Sequence, residues 1–439
     1  MSMVNAYDPG AGESPEPYDA ALLDRRLALL GAGYRLFYSR PLRLVRGEGV
    51  WLFDSAGRRY LDAYNNVACV GHCHPEVTAA IAAQAAVLNT HTRYLHESIL
   101  DYAEALLSHF PGELCNLMMT CTGSEANDLA LRVAGACTGG AGLIVTRNAY
   151  HGVTLAVSGA SPSLGPGNPL GKNVWTVPSP VHVDGVVAGI ADFLSGIALA
   201  LDEMDACGVK PAALLVDTVF SSDGVCAERP GFLADAAALV RGRGGLFIAD
   251  EVQAGFGRLG EGMWGFARHG VVPDLVTLGK PMGNGYPVAG VVGRRDLFDA
   301  FGAQTRYFNT FGGTPVACAA ASTVLRILAR DRLMENAAQV GDMLIRGFRE
   351  RAGSSRTVSA VRGSGLFIGI DIVDGAGRSS PQGAADLVNA MRAGGVLVSA
   401  TGPEGHVLKI RPPLPFFPEH ARLLLDAFDS ALAATAPRF

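Results

Sequence analysis

The 439-residue chain has no apolar run long enough to cross a bilayer, so no membrane span is expected. It also has no surplus of positive charge. Its 36 Lys and Arg stand against 41 Asp and Glu, a formal net charge of −5, which argues against a nucleic-acid partner. The start of the chain, with Asp8, Pro9, Glu13, Pro15 and Glu16, lacks basic residues and an apolar core, so no signal peptide is expected. Eight cysteines are too few for a disulfide scaffold in a chain of this size, and a reducing, cytoplasmic setting is expected. The one metal-like cluster is Cys69-Val70-Gly71-His72-Cys73-His74. It has no second cluster at a zinc-like spacing and is closed by Pro75, so no metal site is expected. Internal repeats and low-complexity tracts are missing as well.

What is there is half hydrophobic and 18% charged, ample for buried sheets. The length exceeds one core and predicts two domains. Residues 1–17 read as a flexible arm. Residues 18–75 hold a strand at Val50-Trp51-Leu52-Phe53, a turn at Asp54-Ser55-Ala56-Gly57 and a second strand at Arg59-Tyr60-Leu61. From about 76 to 330, helices alternate with apolar strands at 142–147, 212–219, 245–252, 274–278 and 288–293. That alternation predicts an α/β fold with a mostly parallel sheet covered on both faces. Residues 331–439 carry an amphipathic helix near 331–352, short strands near 364–372 and 405–410, and a terminal helix. Loops rich in Pro, Gly and Ser fall at 160–173 and 374–382.

Two residues carry the chemistry. Asp250 ends the apolar run Gly245-Leu246-Phe247-Ile248-Ala249, and Lys280 follows the strand Leu275-Val276-Thr277-Leu278. In an open α/β sheet such strand ends converge on one crevice. A lysine there can form a Schiff base, and a buried carboxylate can keep a pyridine nitrogen protonated. Those are the two handles a protein needs on pyridoxal phosphate.

Other segments fit the same ligand. Thr122 and Glu125 have the spacing of a capping box, which starts a helix at about Gly123. The amides of that first turn form an anion site, Gly123 lets the backbone approach closely, and Ser124 adds a hydroxyl. Tyr150, in Asn148-Ala149-Tyr150-His151-Gly152, follows a strand and can stack on a flat ring. Val252 alternates to the side of Asp250 and presses on a ring face, while Gln253 has an amide to donate to the ring's phenolic oxygen. Thr310, beside Gly312 and Gly313, offers a hydroxyl to a phosphate.

In their order and spacing, DEVQxGFGR (250–258), GKPMGNGYP (279–287) and TFGGTP (310–315) resemble the class III aminotransferase family of fold-type-I pyridoxal-phosphate enzymes, over roughly residues 35–435. The resemblance implies a large cofactor-binding domain over 76–330 and a smaller α+β domain built from 18–75 and 331–439. It implies that Lys280 and Asp250 are catalytic, with Lys280 covalently linked to the cofactor and Asp250 on the pyridine nitrogen. Gly123 and Ser124 cradle the cofactor's phosphate, and Tyr150, His151, Val252 and Gln253 surround the ring. Thr310 reaches the phosphate of a neighbouring subunit, which makes the protein a homodimer with shared active sites.

Within the family the chain most resembles the phospho-lyase branch, which acts on ethanolamine phosphate or 5-phosphohydroxylysine. The residues behind this are Tyr34-Arg35-Leu36-Phe37-Tyr38, Asn65-Asn66-Val67-Ala68, Leu88-Asn89-Thr90-His91-Thr92-Arg93 and Leu408-Lys409-Ile410-Arg411-Pro412-Pro413. The mobile arginine of many amine transaminases is missing from Thr401-Gly402-Pro403-Glu404-Gly405-His406. Asp217 stands where the family has a glutamate. The expected reaction is elimination of phosphate from ethanolamine phosphate, giving acetaldehyde, ammonia and phosphate. Tyr38, Arg93, Lys409 and Arg411 are the expected contacts to the substrate's phosphate. The alternative is amino transfer from an ω-amino acid or amine to a keto acid. A non-catalytic ligand-binding module is more distant, because such a protein has no need of Lys280.

Overall fold

A computed structural model describes residues 4–8, 10, 17–181, 186–227 and 229–435. Its centre is a seven-stranded sheet. The spatial order is Asn116–Thr120, Ala289–Gly293, Leu275–Leu278, Leu246–Asp250, Pro211–Asp217, Gly142–Thr146 and Val174–Val177. All neighbouring pairs are parallel except those of Ala289–Gly293, which runs antiparallel to both its partners. The parallel strands read as unbroken apolar runs because helices cover both faces of the sheet. Polar side chains enter only at their carboxyl ends. There Asp217, Asp250 and Thr277 stand in register on three adjacent strands and so share one face of the sheet.

The helix Gly123–Thr138 packs on this sheet through Ala126, Leu129, Ala130, Val133 and Ala134, all buried. Thr122 caps it, and Glu125 returns the bond as the sequence predicts: Thr122 Oγ1 accepts from Glu125 N at 3.2 Å and Glu125 Oε2 accepts from Thr122 N at 2.9 Å. The same carboxylate accepts from Cys121 N at 3.0 Å. Gly139 ends the helix at φ 65°, in the left-handed region. Thr122→Ala removes one side of this box, and unfolding of the variant by denaturant is expected to show a loss of about 1 kcal/mol.

The rest of the fold ties the two ends of the chain together. Strand Arg59–Asp62 pairs antiparallel with Trp51–Asp54 and parallel with Val396–Leu397. A second sheet has the order Val358–Ser364, Phe367–Ile372, Val407–Ile410, Ser399–Thr401, antiparallel throughout. The stretch read as a single strand near 364–372 is therefore the second arm of a hairpin, which turns at Gly365 with φ 51°. The strands Leu44–Glu48, Asn116–Thr120 and Val174–Val177 were not expected. Asn116-Leu117-Met118-Met119 has no β-branched residue, and Val174-Trp175-Thr176-Val177 borders a Gly/Pro loop that masks it. In the stretch read as an arm, Asn5 O accepts from Tyr38 N at 2.7 Å and Tyr7 N donates to Leu36 O at 2.8 Å. Among the described residues no helix is long and apolar enough to cross a membrane.

Candidate active site

The carboxyl ends of the central strands, the first turn of helix Gly123–Thr138 and the turn Lys280–Gly283 enclose a cavity of about 330 Å³. Gly123, Ser124, Tyr150, His151, Asp250, Val252, Gln253 and Lys280 all line it, joined by Asp217 and Asn127. The loops that carry these residues lie far apart in sequence. Strand polarity alone brings them to one crevice.

Lys280 opens its turn in the left-handed region at φ 30°, a strained conformation for a residue with a side chain. Among the described residues no hydrogen bond ties its amine. Burial, and after it the positive charge of Arg411, bring that amine down to about 8 from the ordinary lysine value of 10.5. Its nitrogen thus loses its proton much closer to neutral pH than an ordinary lysine does.

Asp250 is 5% exposed and firmly held. Its Oδ2 accepts from Asn127 Nδ2 at 2.9 Å and faces His151 Nδ1 at 2.8 Å, and its Oδ1 accepts from Val252 N at 3.1 Å. His151 is thus bound to the back of Asp250, and its Nε2 is buried with no partner among the described residues. Asp217 accepts from Val219 N and Ser221 N, both at 3.0 Å, and burial followed by the nearby Asp250 raises its pKa. Two further buried carboxyls flank this row. Burial lifts both Asp223 and Glu251 to about 7. Glu251 is a structural anchor, accepting from Thr218 Oγ1, Gly265 N and Phe266 N.

The opposite end of the cavity is built for an oxyanion. The first-turn amides at Gly123 and Ser124 have no acceptor within their helix. Ser124 Oγ accepts from Val153 N at 3.1 Å, which leaves its own proton free to donate. Gly152 holds φ 140°, and a Cβ there would collide with Ser124 Oγ, so a side chain would close this end. Val252 packs across Gly123, and Tyr150 borders the space at 37% exposure. An anion cup, two flanking faces, a fixed carboxylate and a free lysine amine fit a phosphorylated pyridine aldehyde.

The remaining expected contacts divide. Lys409 and Arg411 lie on the strand Val407–Ile410 and just past its end, each is 7% exposed, and neither is among the residues that line the cavity. Arg411 Nη1 donates to Asn66 Oδ1 at 3.0 Å and to Gln253 Oε1, and its guanidinium carbon lies 4.5 Å from the Tyr64 ring centroid. Burial, then the charge of Arg411, pull the Lys409 amine well below the usual lysine range. Among the described residues neither cation lies within ion-pair distance of a carboxylate. Gln253, expected to donate to the cofactor, spends one N–H on Ser221 Oγ at 2.6 Å.

Tyr38 is a correction. It does not line the cavity but is 5% exposed, and its hydroxyl donates to Val398 O at 3.3 Å. Arg93 and Thr310 do not line it either. Both are exposed, Arg93 with its guanidinium 3.7 Å above the Phe308 ring. The metal-like cluster has other duties: His72 Nε2 meets Asp62 Oδ2 at 2.7 Å, and His74 Nδ1 accepts from Glu76 N at a helix start. Asn127 is the residue the sequence reading missed. Its signal was an amide on a helix face otherwise made of Ala126, Ala130 and Ala134.

Comparison with known proteins adds the family. Residues 38–432 match the class-III aminotransferase family. A Drosophila melanogaster protein named alanine–glyoxylate aminotransferase 2-like is 38% identical, over 92% of this chain and 85% of its own length. A Caenorhabditis elegans protein named ethanolamine-phosphate phospho-lyase homolog 1 is 34% identical, over 94% and 93%. Among solved structures, a phospholyase from Arthrobacter in complex with phosphoethanolamine is 44% identical with a TM-score of 0.91, over 94% of this chain and 99% of its own.

Proposed function

The chain belongs to the class-III aminotransferase family and is a pyridoxal-phosphate enzyme, and from that premise we propose that it is a phospho-lyase whose substrate is ethanolamine phosphate. The observation that carries the reading is the buried pair Lys409 and Arg411, two basic side chains that act on Lys280 and have no carboxylate within ion-pair distance among the described residues. Buried charges without partners are costly, and a dianionic substrate group repays that cost. The likeness to the phosphoethanolamine-bound Arthrobacter enzyme supports the same choice.

Pyridoxal phosphate, when bound, supplies an electron sink for the carbon next to the substrate nitrogen. The chain supplies the rest. Gly123, Ser124 and their helix end hold the cofactor's phosphate, and Tyr150 and Val252 flank the ring. Asp250 holds a proton on the pyridine nitrogen. The Lys280 amine, once released, removes the proton from the carbon that bears nitrogen. Arg411 offers a fork suited to a phosphate and Lys409 a point charge. Together they draw off the phosphate as the bond between carbon and phosphate oxygen breaks, its electron pair leaving with the phosphate. Water then releases aldehyde and ammonia, and no keto acid is consumed.

The reading includes a homodimer, in which a second copy covers the exposed Arg93, Phe308, Thr310 and Phe311, and a cytoplasmic location. Amino transfer is the competing reading, carried by the 38% identical aminotransferase-like relative. Phosphate release from ethanolamine phosphate without any added keto acid separates the two. Sustained release over many turnovers is the expected result. Turnover only with pyruvate, 2-oxoglutarate or glyoxylate present would replace this reading with the transaminase.

A further inference from the structure

We propose that Asn127 is a positioning residue of the active site, an amide clamp that, aimed by Thr277, fixes Asp250 as the ionised partner of the cofactor's pyridine nitrogen. The inference rests on the bound cofactor alone and stands whichever of elimination or amino transfer follows.

Asn127 is 1% exposed, and each of its polar hydrogens is committed. One amide N–H goes to His151 O at 2.8 Å and the other to Asp250 Oδ2 at 2.9 Å. Its carbonyl accepts from Thr277 Oγ1 at 2.7 Å. Two acceptors settle which end of the amide faces Asp250: with the amide reversed, an oxygen would point at both the carboxylate and the His151 carbonyl. The Thr277 hydroxyl, able to donate or accept, donates to the carbonyl that remains. Thr277 is itself in register with Asp250 on the adjacent strand. The helix, two strands and the loop at 151 therefore close one hydrogen-bonded circuit around a single carboxylate.

The circuit matters because of what Asn127 cannot do. Asn127 Nδ2 and His151 Nδ1 both meet Oδ2 of Asp250, and of the two only the amide is a donor in every tautomer. His151 is a titratable ring whose Nε2 is buried and unpartnered among the described residues. Asn127 has no ionisation. It presents a donor, never an acceptor, to Asp250 at every pH, and donors favour the charged carboxylate. The titratable groups around Asp250 are His151 on the following loop, Asp217 in register on the other adjacent strand, Tyr150 and Lys280. Of these, Asp217 is the like-charged neighbour, and burial, then the Asp250 charge, raise its pKa, while Asn127 adds a neutral donor that no titration removes.

The test uses Asn127→Leu, Thr277→Val and Thr277→Ser, each prepared without cofactor and then titrated with pyridoxal phosphate. The first readout is the cofactor dissociation constant. The second is the pH at which the bound cofactor's pyridine nitrogen loses its proton, followed by absorbance or nitrogen NMR. Asn127→Leu is expected to weaken cofactor binding by about tenfold or more, the effect of losing one hydrogen bond to a buried charge. It is also expected to lower the deprotonation pH. Thr277→Val moves both readouts in the same direction by less, and Thr277→Ser, which keeps the hydroxyl, returns them to the parent values. If Asn127→Leu does not fold, the threonine pair decides alone. Parent affinity and deprotonation pH in Asn127→Leu, or identical behaviour of the two threonine variants, would overturn the proposal.

Discussion

Replacing Lys280 by alanine is expected to lower turnover by on the order of a thousandfold or more, because it removes the proposed covalent tether and general base at once. The anion cup and Asp250 do not depend on Lys280, so Lys280→Ala still binds the cofactor. It fails to retain it after borohydride treatment and denaturation, whereas the parent protein keeps it. The fold is not the casualty. The substitution removes a buried amine and breaks no hydrogen bond among the described residues, so the melting temperature of the cofactor-free variant should not fall. A companion experiment reads the amine directly. Only the neutral form attacks an aldehyde, and burial with Arg411 has brought this amine from 10.5 to about 8. The rate at which cofactor-free protein captures pyridoxal phosphate should therefore climb with pH and level off above about 8. A rate still climbing toward the ordinary lysine range would show the amine to be unperturbed.

The second large effect concerns Lys409 and Arg411. Arg411→Ala and Lys409→Met are each expected to cut kcat/KM for ethanolamine phosphate by about a hundredfold, the scale of one lost charge-assisted contact to a phosphate. Cofactor affinity should change little. Lys409→Met carries its own control. Burial penalises the charged form of Lys409 and leaves its amine without an ion-pair partner among the described residues, so exchanging it for an apolar side chain of similar length should leave the melting temperature equal or higher. A slower but no less stable protein cannot be explained by misfolding. Arg411→Lys keeps the charge and loses the planar fork, so it should fall between the parent and alanine. If Lys409→Met and Arg411→Ala both keep the parent kcat/KM, the phosphate is held elsewhere.

Much of this site was readable in the sequence, for reasons that differ from residue to residue. Thr122 and Glu125 announce a helix start because capping is a local event, decided within a few residues. Asp250 and Lys280 stand out because an apolar strand that ends in a charge has few uses. The expectation for Tyr38 failed because an aromatic residue near the chain start says nothing about the direction of its hydroxyl. Residue 398 takes that hydrogen bond, and a separation of 360 positions leaves no local trace. Asn127 was missed for the opposite reason. Its place in the helix was plain, but its value lies in Thr277 and Asp250, which only the strand register brings alongside. Arg411 was visible as a cation, while its bonds to Asn66 and Gln253 span 345 and 158 positions and leave no local trace.

The parallel pairing of Arg59–Asp62 with Val396–Leu397, and the bond from Arg411 to Asn66 across 345 positions, also order events during synthesis. By the time residue 293 has emerged, every strand of the central sheet exists, and Lys280 with it. The early strands near residue 60 must wait for the last part of the chain before they gain their final neighbour, and contacts of such span form late. A growing polypeptide thus acquires the means to hold its vitamin-derived ring before it acquires the side chains proposed to grip its substrate. On that proposal, selectivity is the last property that translation confers.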